Sequence, residues 1–146
     1  MGITGIGYEG LTIDSFVSRL RLRGVQVLVD VRLNAISRKP GFAKKALSAA
    51  LQEAGIVYLH RPVLGNRRDN RDGYGEIESP AAARARHRYQ ESIEGAEASE
   101  CLREVAEMAN NCEVVLMCFE EDERHCHREQ TLEAVRQFMA EELVSS

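Results

Sequence analysis

The chain has 146 residues, 44% hydrophobic and 29% charged, with 11 Gly, 3 Pro, 4 Cys and no Trp. That apolar fraction, without low-complexity runs, excludes disorder and collagen-like repetition, and a chain of this length can bury a core without disulfide or metal staples. No apolar run nears the ~20 residues that cross a bilayer, and the start Met1-Gly2-Ile3-Thr4-Gly5-Ile6 has no basic n-region, so no membrane partner and a cytoplasmic address are expected.

The net charge of -4 hides a division along the chain. Residues 1–88 hold 15 Lys+Arg against 8 Asp+Glu, whereas residues 89–146 hold 4 against 15, so the halves carry +7 and -11. Either one half meets an anionic partner or the two halves neutralise each other across one folded domain. The four cysteines, Cys101, Cys112, Cys118 and Cys126, lack the density and paired spacing of a secreted disulfide framework and are expected to be mostly reduced thiols.

In chain order, the first β-rich run is Ile3 to Gly7. Ile13, Phe16, Val17 and Leu20 then recur at helical spacing, with Thr12 as cap and Gly24 as stop. A second strand covers Val25 to Val31. Leu47, Ala50, Leu51 and Ala54 predict a helix that ends at Gly55, and Ile56 to His60 is the third strand. After a longer connection, Ser79-Pro80 starts a helix carrying Ala82, Ala85, Tyr89 and Ile93 on one face. Ala98, Cys101, Leu102, Val105 and Met108 mark the next helix, Glu113 to Cys118 the fourth strand, and Leu132, Val135, Phe138 and Met139 a last helix from about Arg128. Alternating strands and helices, with strands apolar on both faces, predict an α/β fold: residues 1–146 form a single small three-layer domain, its mainly parallel sheet flanked by helices.

In such sheets, function gathers outside the carboxyl ends of the strands, where crossovers leave a crevice. Four polar sets follow the strands: Tyr8-Glu9-Gly10, Asp30-Val31-Arg32, His60-Arg61, and Cys118 onward. Gly5-Ile6-Gly7-Tyr8-Glu9-Gly10 has the G-x-G-x-x-G spacing of dinucleotide sites, but the strand before it is too short for that use. The segment from Arg32 to Lys45 holds five positive charges and no acid, and Arg61, Arg67, Arg68 and Arg71 form a second basic loop beside Asp69 and Asp72. Two Arg-rich loops on one edge suit an anion, because guanidinium forks bond oxyanions in pairs. Nucleic acid is one candidate, with Phe42, Tyr58, Tyr74 and Tyr89 available to stack on bases.

The fourth strand leads into the densest cluster. Cys118 and Arg124 have the C-x5-R spacing of cysteine phosphatases, but Glu120, Glu121, Asp122 and Glu123 lie between them and repel phosphate. Cys118, Glu120, His125, Cys126 and His127 are all metal-ligand types. Their spacing is not that of a structural zinc site, and the adjacent Cys126 and His127 converge poorly on one ion, so no metal is assigned and any cofactor is unknown.

Taken in order, these motifs resemble those of the bacterial and archaeal domain of unknown function 488 family. The carrying residues are Gly7-Tyr8-Glu9-Gly10, Asp30-Val31-Arg32, Ser37 with Pro40-Gly41-Phe42, Leu64-Gly65, and Cys118, Glu120 and Cys126-His127-Arg128. Asn66 departs from the family's common second glycine after Leu64-Gly65. The resemblance implies a compact α/β fold with a shared polar cleft and supplies no reaction. A weaker similarity to rhodanese-like domains rests on Val29-Asp30-Val31-Arg32 and on a strand ending in cysteine.

The leading expectation is a pocket for an anionic ligand: a nucleotide, phosphate or nucleic acid. Arg32, Arg38 and Arg67 neutralise it, Tyr8 and Glu9 orient it, and Arg128 closes the far side. Ser37, Glu120 and Cys126 complete the candidate ligand-binding set. If the site is catalytic, Glu9, Asp30 and His127 are the acid/base candidates and Cys118 the nucleophile. The alternatives are a cysteine-dependent sulfurtransferase or redox enzyme, and a non-catalytic module docking through its acidic half.

Overall fold

The computed structural model describes residues 2–75, 77–120 and 126–145, with the backbone alone for Arg68, Asp69, Asp72 and Ser145. Its strands are β1 (Gly2–Gly7), β2 (Val27–Asp30), β3 (Val57–His60) and β4 (Glu113–Cys118). The helices are α1 (Ile13–Leu22), α2 (Lys44–Glu53), a single turn α3 (Arg68–Arg71), α4 (Pro80–Ile93), α5 (Ala96–Asn111) and α6 (Arg128–Ser145). All pairings are parallel, in the order β1-β4-β2-β3, so the last strand in sequence is inserted between the first two. The register sets Gly7 beside Cys118, and Asp30 beside both Met117 and His60. The four strand ends that carry the chemistry therefore share one edge.

The strand pattern explains the two-sided core. Along β4, Val114, Leu116 and Cys118 face one side and Val115 and Met117 the other, as the two-residue period of a strand requires. On the first side they pack against Leu102 and Val105 of α5 and Leu132 and Val135 of α6, together with Tyr89 and Ile93 of α4. On the second they meet Phe16 and Leu20 of α1 and Leu47 and Leu51 of α2. This is the predicted three-layer α/β arrangement.

Local signals placed the helix ends. Thr12 accepts from the Ser15 backbone N–H while Ser15 reaches back to Thr12, a reciprocal cap, and Ser79 accepts from the Ala82 N–H ahead of Pro80. Gly24 and Gly55 follow α1 and α2 with φ of 69° and 77°, a region side chains disfavour. The connection after β3 differs from the sequence reading: it holds 3-10 turns at Pro62–Leu64 and Asp72–Gly75 as well as α3. Such short turns present no apolar period to detect. No helix among the described residues is long and apolar enough to cross a membrane.

Candidate functional site

At the carboxyl edge of the sheet lies a cavity of about 160 Å³. Of the residues singled out from sequence, Tyr8, Arg32, Arg71, Tyr74, Cys118, Glu120, Cys126 and His127 line it. Asp30 and Arg128 stand directly behind this lining. Glu9 and Arg38 are exposed, Ser37 is half-buried and accepts from the Lys39 N–H, and none of the three lines the cavity. Arg67 lines a neighbouring groove, which shares Leu33 and Asn66 with the cavity. Glu121, Asp122, Glu123, Arg124 and His125, and with them the C-x5-R spacing, lie outside the described residues, as do the side chains of Arg68, Asp69 and Asp72.

The wall after β2 is built on an ion pair. Asp30 is fully buried and takes Arg32 in a fork, with Nε to Oδ1 at 2.9 Å and Nη2 to Oδ2 at 2.7 Å. Its carboxylate also accepts from the Arg32 backbone N–H at 3.0 Å and from the Tyr58 hydroxyl at 2.6 Å. Burial works against the Arg32 charge, but the Asp30 carboxylate outweighs it and raises the guanidinium pKa above its ordinary value. Burial, reinforced by the same carboxylate, raises the Tyr58 hydroxyl. Arg32 Nη1 donates to Phe42 O at 2.7 Å and to the Tyr8 hydroxyl at 3.3 Å. Tyr8 stacks on Phe42 with ring centres 4.5 Å apart. The segment from Asp30 to Phe42 is thus folded around the Arg32 guanidinium, which holds the lining in shape.

His127 and His60 fix the turn beyond β2 from two sides. His127 Nε2 donates to Val31 O at 3.2 Å, and His60 Nε2 donates to Arg32 O at 2.7 Å. Burial pushes the His127 pKa down to about 4, so the ring is neutral near pH 7. With its proton on Nε2, His127 presents the Nδ1 lone pair, 3.6 Å from Cys126 Sγ.

The floor is formed by sulfur. Cys118, at the end of β4, and Cys126, just before α6, bring their sulfurs together with their Cα atoms 7.6 Å apart, wider than a relaxed disulfide spans, and Cys101 and Cys112 lie apart from them as free thiols. Sequence spacing missed this pair because a strand end and a helix start, eight residues apart in the chain, meet only through the fold. The buried Arg128 guanidinium sits against the pair. Its Nη1 donates to Ile6 O and Glu120 O at 2.9 Å and to Cys118 Sγ at 3.0 Å. The N-terminus of α6 adds its partial positive charge to the same spot. A cation this close stabilises negative charge on the Cys118 sulfur.

Sequence reading did not single out Leu33, Asn34, Ile36 and Phe119, and named Asn66 only as a departure from the family pattern. Phe119 and Ile36 are well exposed, and the apolar position of each beside a polar strand end was the only available signal. The aromatics expected to stack on bases are otherwise occupied. Phe42, Tyr74 and Tyr89 are buried, and the Tyr58 hydroxyl is committed to Asp30. Tyr89 donates to Leu64 O and bonds Thr131, while Tyr74 bonds Gln130.

A family model described as a domain of unknown function, DUF488, matches residues 12–135. No curated protein and no solved structure matches the chain. The matched span runs from the cap of α1 into α6, taking in Asp30, Arg32 and the whole cysteine cluster, with Tyr8 and Glu9 just ahead of it. On that match the chain belongs to the DUF488 family.

Proposed function

We propose that the protein is a cysteine-dependent redox enzyme that exchanges a Cys118–Cys126 dithiol with a disulfide substrate. The observation that carries this reading is the pair of sulfurs on the cavity floor with Arg128 Nη1 3.0 Å from one of them. Cys118 is the attacking sulfur, because the Arg128 guanidinium 3.0 Å away favours its thiolate. Its attack on a substrate disulfide breaks the S–S bond, forms a mixed disulfide and releases the first thiol. Cys126 then attacks Cys118, closing the protein disulfide and releasing the second thiol. The protein gives up two electrons and two protons, and the substrate leaves as two thiols. The Cys126 proton has an acceptor in reach at His127 Nδ1.

Single-cysteine variants test the order of events. With a small disulfide as probe, Cys126→Ser should accumulate a stable mixed disulfide at Cys118, detected by mass spectrometry, whereas Cys118→Ser should form none at Cys126. Equal labelling of the two variants would overturn the assignment.

A second reading, binding of a small anion, has its support in Arg71, a further guanidinium lining the same cavity. Arg71→Ala should then weaken the binding of inorganic phosphate or a nucleotide in calorimetric titration. Unchanged affinity would remove this reading.

A further inference from the structure

We propose that the reduced site is also a metal site, in which Cys118, Glu120 and Cys126 hold a divalent transition-metal ion of the zinc type. A ligand atom of each, the two Sγ atoms and a carboxylate oxygen of Glu120, lies within 4.8 Å of the others. The disulfide reaction gives Glu120 no role. A carboxylate beside two sulfurs opposes the thiolate that attack requires, whereas a dication between the three groups turns that repulsion into coordination. Two thiolates with one carboxylate suit a borderline-soft ion such as Zn²⁺ or Co²⁺ better than Mg²⁺ or Ca²⁺, which select all-oxygen sites.

The surroundings fit a metal centre as well. Arg128 Nη1, bonded to Cys118 Sγ, becomes the outer hydrogen-bond donor that orients a thiolate ligand, and its bonds to Ile6 O and Glu120 O hold it there. Three protein ligands leave a fourth tetrahedral position vacant, and all three residues line the cavity, so an incoming molecule reaches that position. The two sulfurs cannot ligate as thiolates while bonded to each other, so binding belongs to the reduced form and oxidation of the pair by a disulfide releases the ion. The inference shares its sulfurs with the redox reading but does not depend on it. Disulfide exchange can fail while the metal binds, and the reverse.

Reduced full-length protein is titrated with Co²⁺ and then Zn²⁺, with thiolate-to-cobalt charge-transfer absorption as readout. The expected result is one Co²⁺ per chain with that absorption, bleached by Zn²⁺ and absent from the oxidised protein. The double variant Cys118→Ser/Cys126→Ser keeps Cys101 and Cys112 and measures adventitious binding. Glu120→Gln, a half-buried and conservative change, should fold normally and weaken binding by at least the ~10-fold that loss of even an outer partner costs. Wild-type binding no stronger than that of the double variant, or unchanged affinity in Glu120→Gln, would overturn the site.

Discussion

Asp30, an acid/base candidate by its place at the end of β2, is instead committed to Arg32 by its surroundings. Its carboxylate accepts from Arg32, from the Arg32 backbone and from Tyr58. Removing one member of a buried, hydrogen-bonded ion pair leaves the other charged and unpaired, which costs about 3–5 kcal/mol. Asp30→Asn should therefore lower unfolding stability by about that amount in denaturant titration, and a loss below ~1 kcal/mol would contradict the structural role. Cys101 offers a contrast to the site cysteines. Burial, aided by the charge of Glu104, pushes its thiol up from 9.0 to about 11. Between those values the unfolded chain loses the proton that the folded chain keeps, so this contribution to stability is present below pH 9 and is lost as pH rises through about 11. Alkylation of the native protein at pH 8 should accordingly spare Cys101, as peptide mapping would show, and rapid labelling there would contradict its burial.

At the scale of elements, the sequence carried strand positions and helix ends well, because both rest on local rules. The apolar runs of β2 and β4, the caps at Thr12 and Ser79, and the stops at Gly24 and Gly55 all lie where short-range chemistry puts them. The strand order was not legible, since inserting β4 between β1 and β2 is a matter of long-range pairing. The same limit hid the approach of the Cys118 and Cys126 sulfurs and the Arg128–Cys118 contact, while the cluster itself was visible as able residue types beyond a strand. Gly65 illustrates a packing constraint with no local signature. Its φ is an ordinary -73°, yet a Cβ there would stand 2.7 Å from the Leu33 backbone, next to Arg32. Gly65→Ala should cost about 1–3 kcal/mol in thermal or chemical unfolding and slow exchange at Cys118 by shifting the lining. A variant as stable and as reactive as the parent would show that this turn has room to spare.

Across the whole molecule, the charge division becomes partly intelligible. Arg61 from the basic half meets Glu104 of α5 at 2.7 Å, one place where the two halves neutralise each other. Exposed pairs of this kind contribute little to stability. What the fold achieves at larger scale is to bring a basic edge, a neutral imidazole and two sulfurs to one cavity from strands far apart in the chain. The most direct measurement of the central claim is a stoichiometric reaction of fully reduced wild-type protein with glutathione disulfide, followed by acid trapping and peptide mapping. The account predicts two thiols released per chain and a single new bond, Cys118–Cys126, with Cys101 and Cys112 still free. Mixed disulfides confined to Cys101 or Cys112, with Cys118 and Cys126 left as thiols, would contradict it.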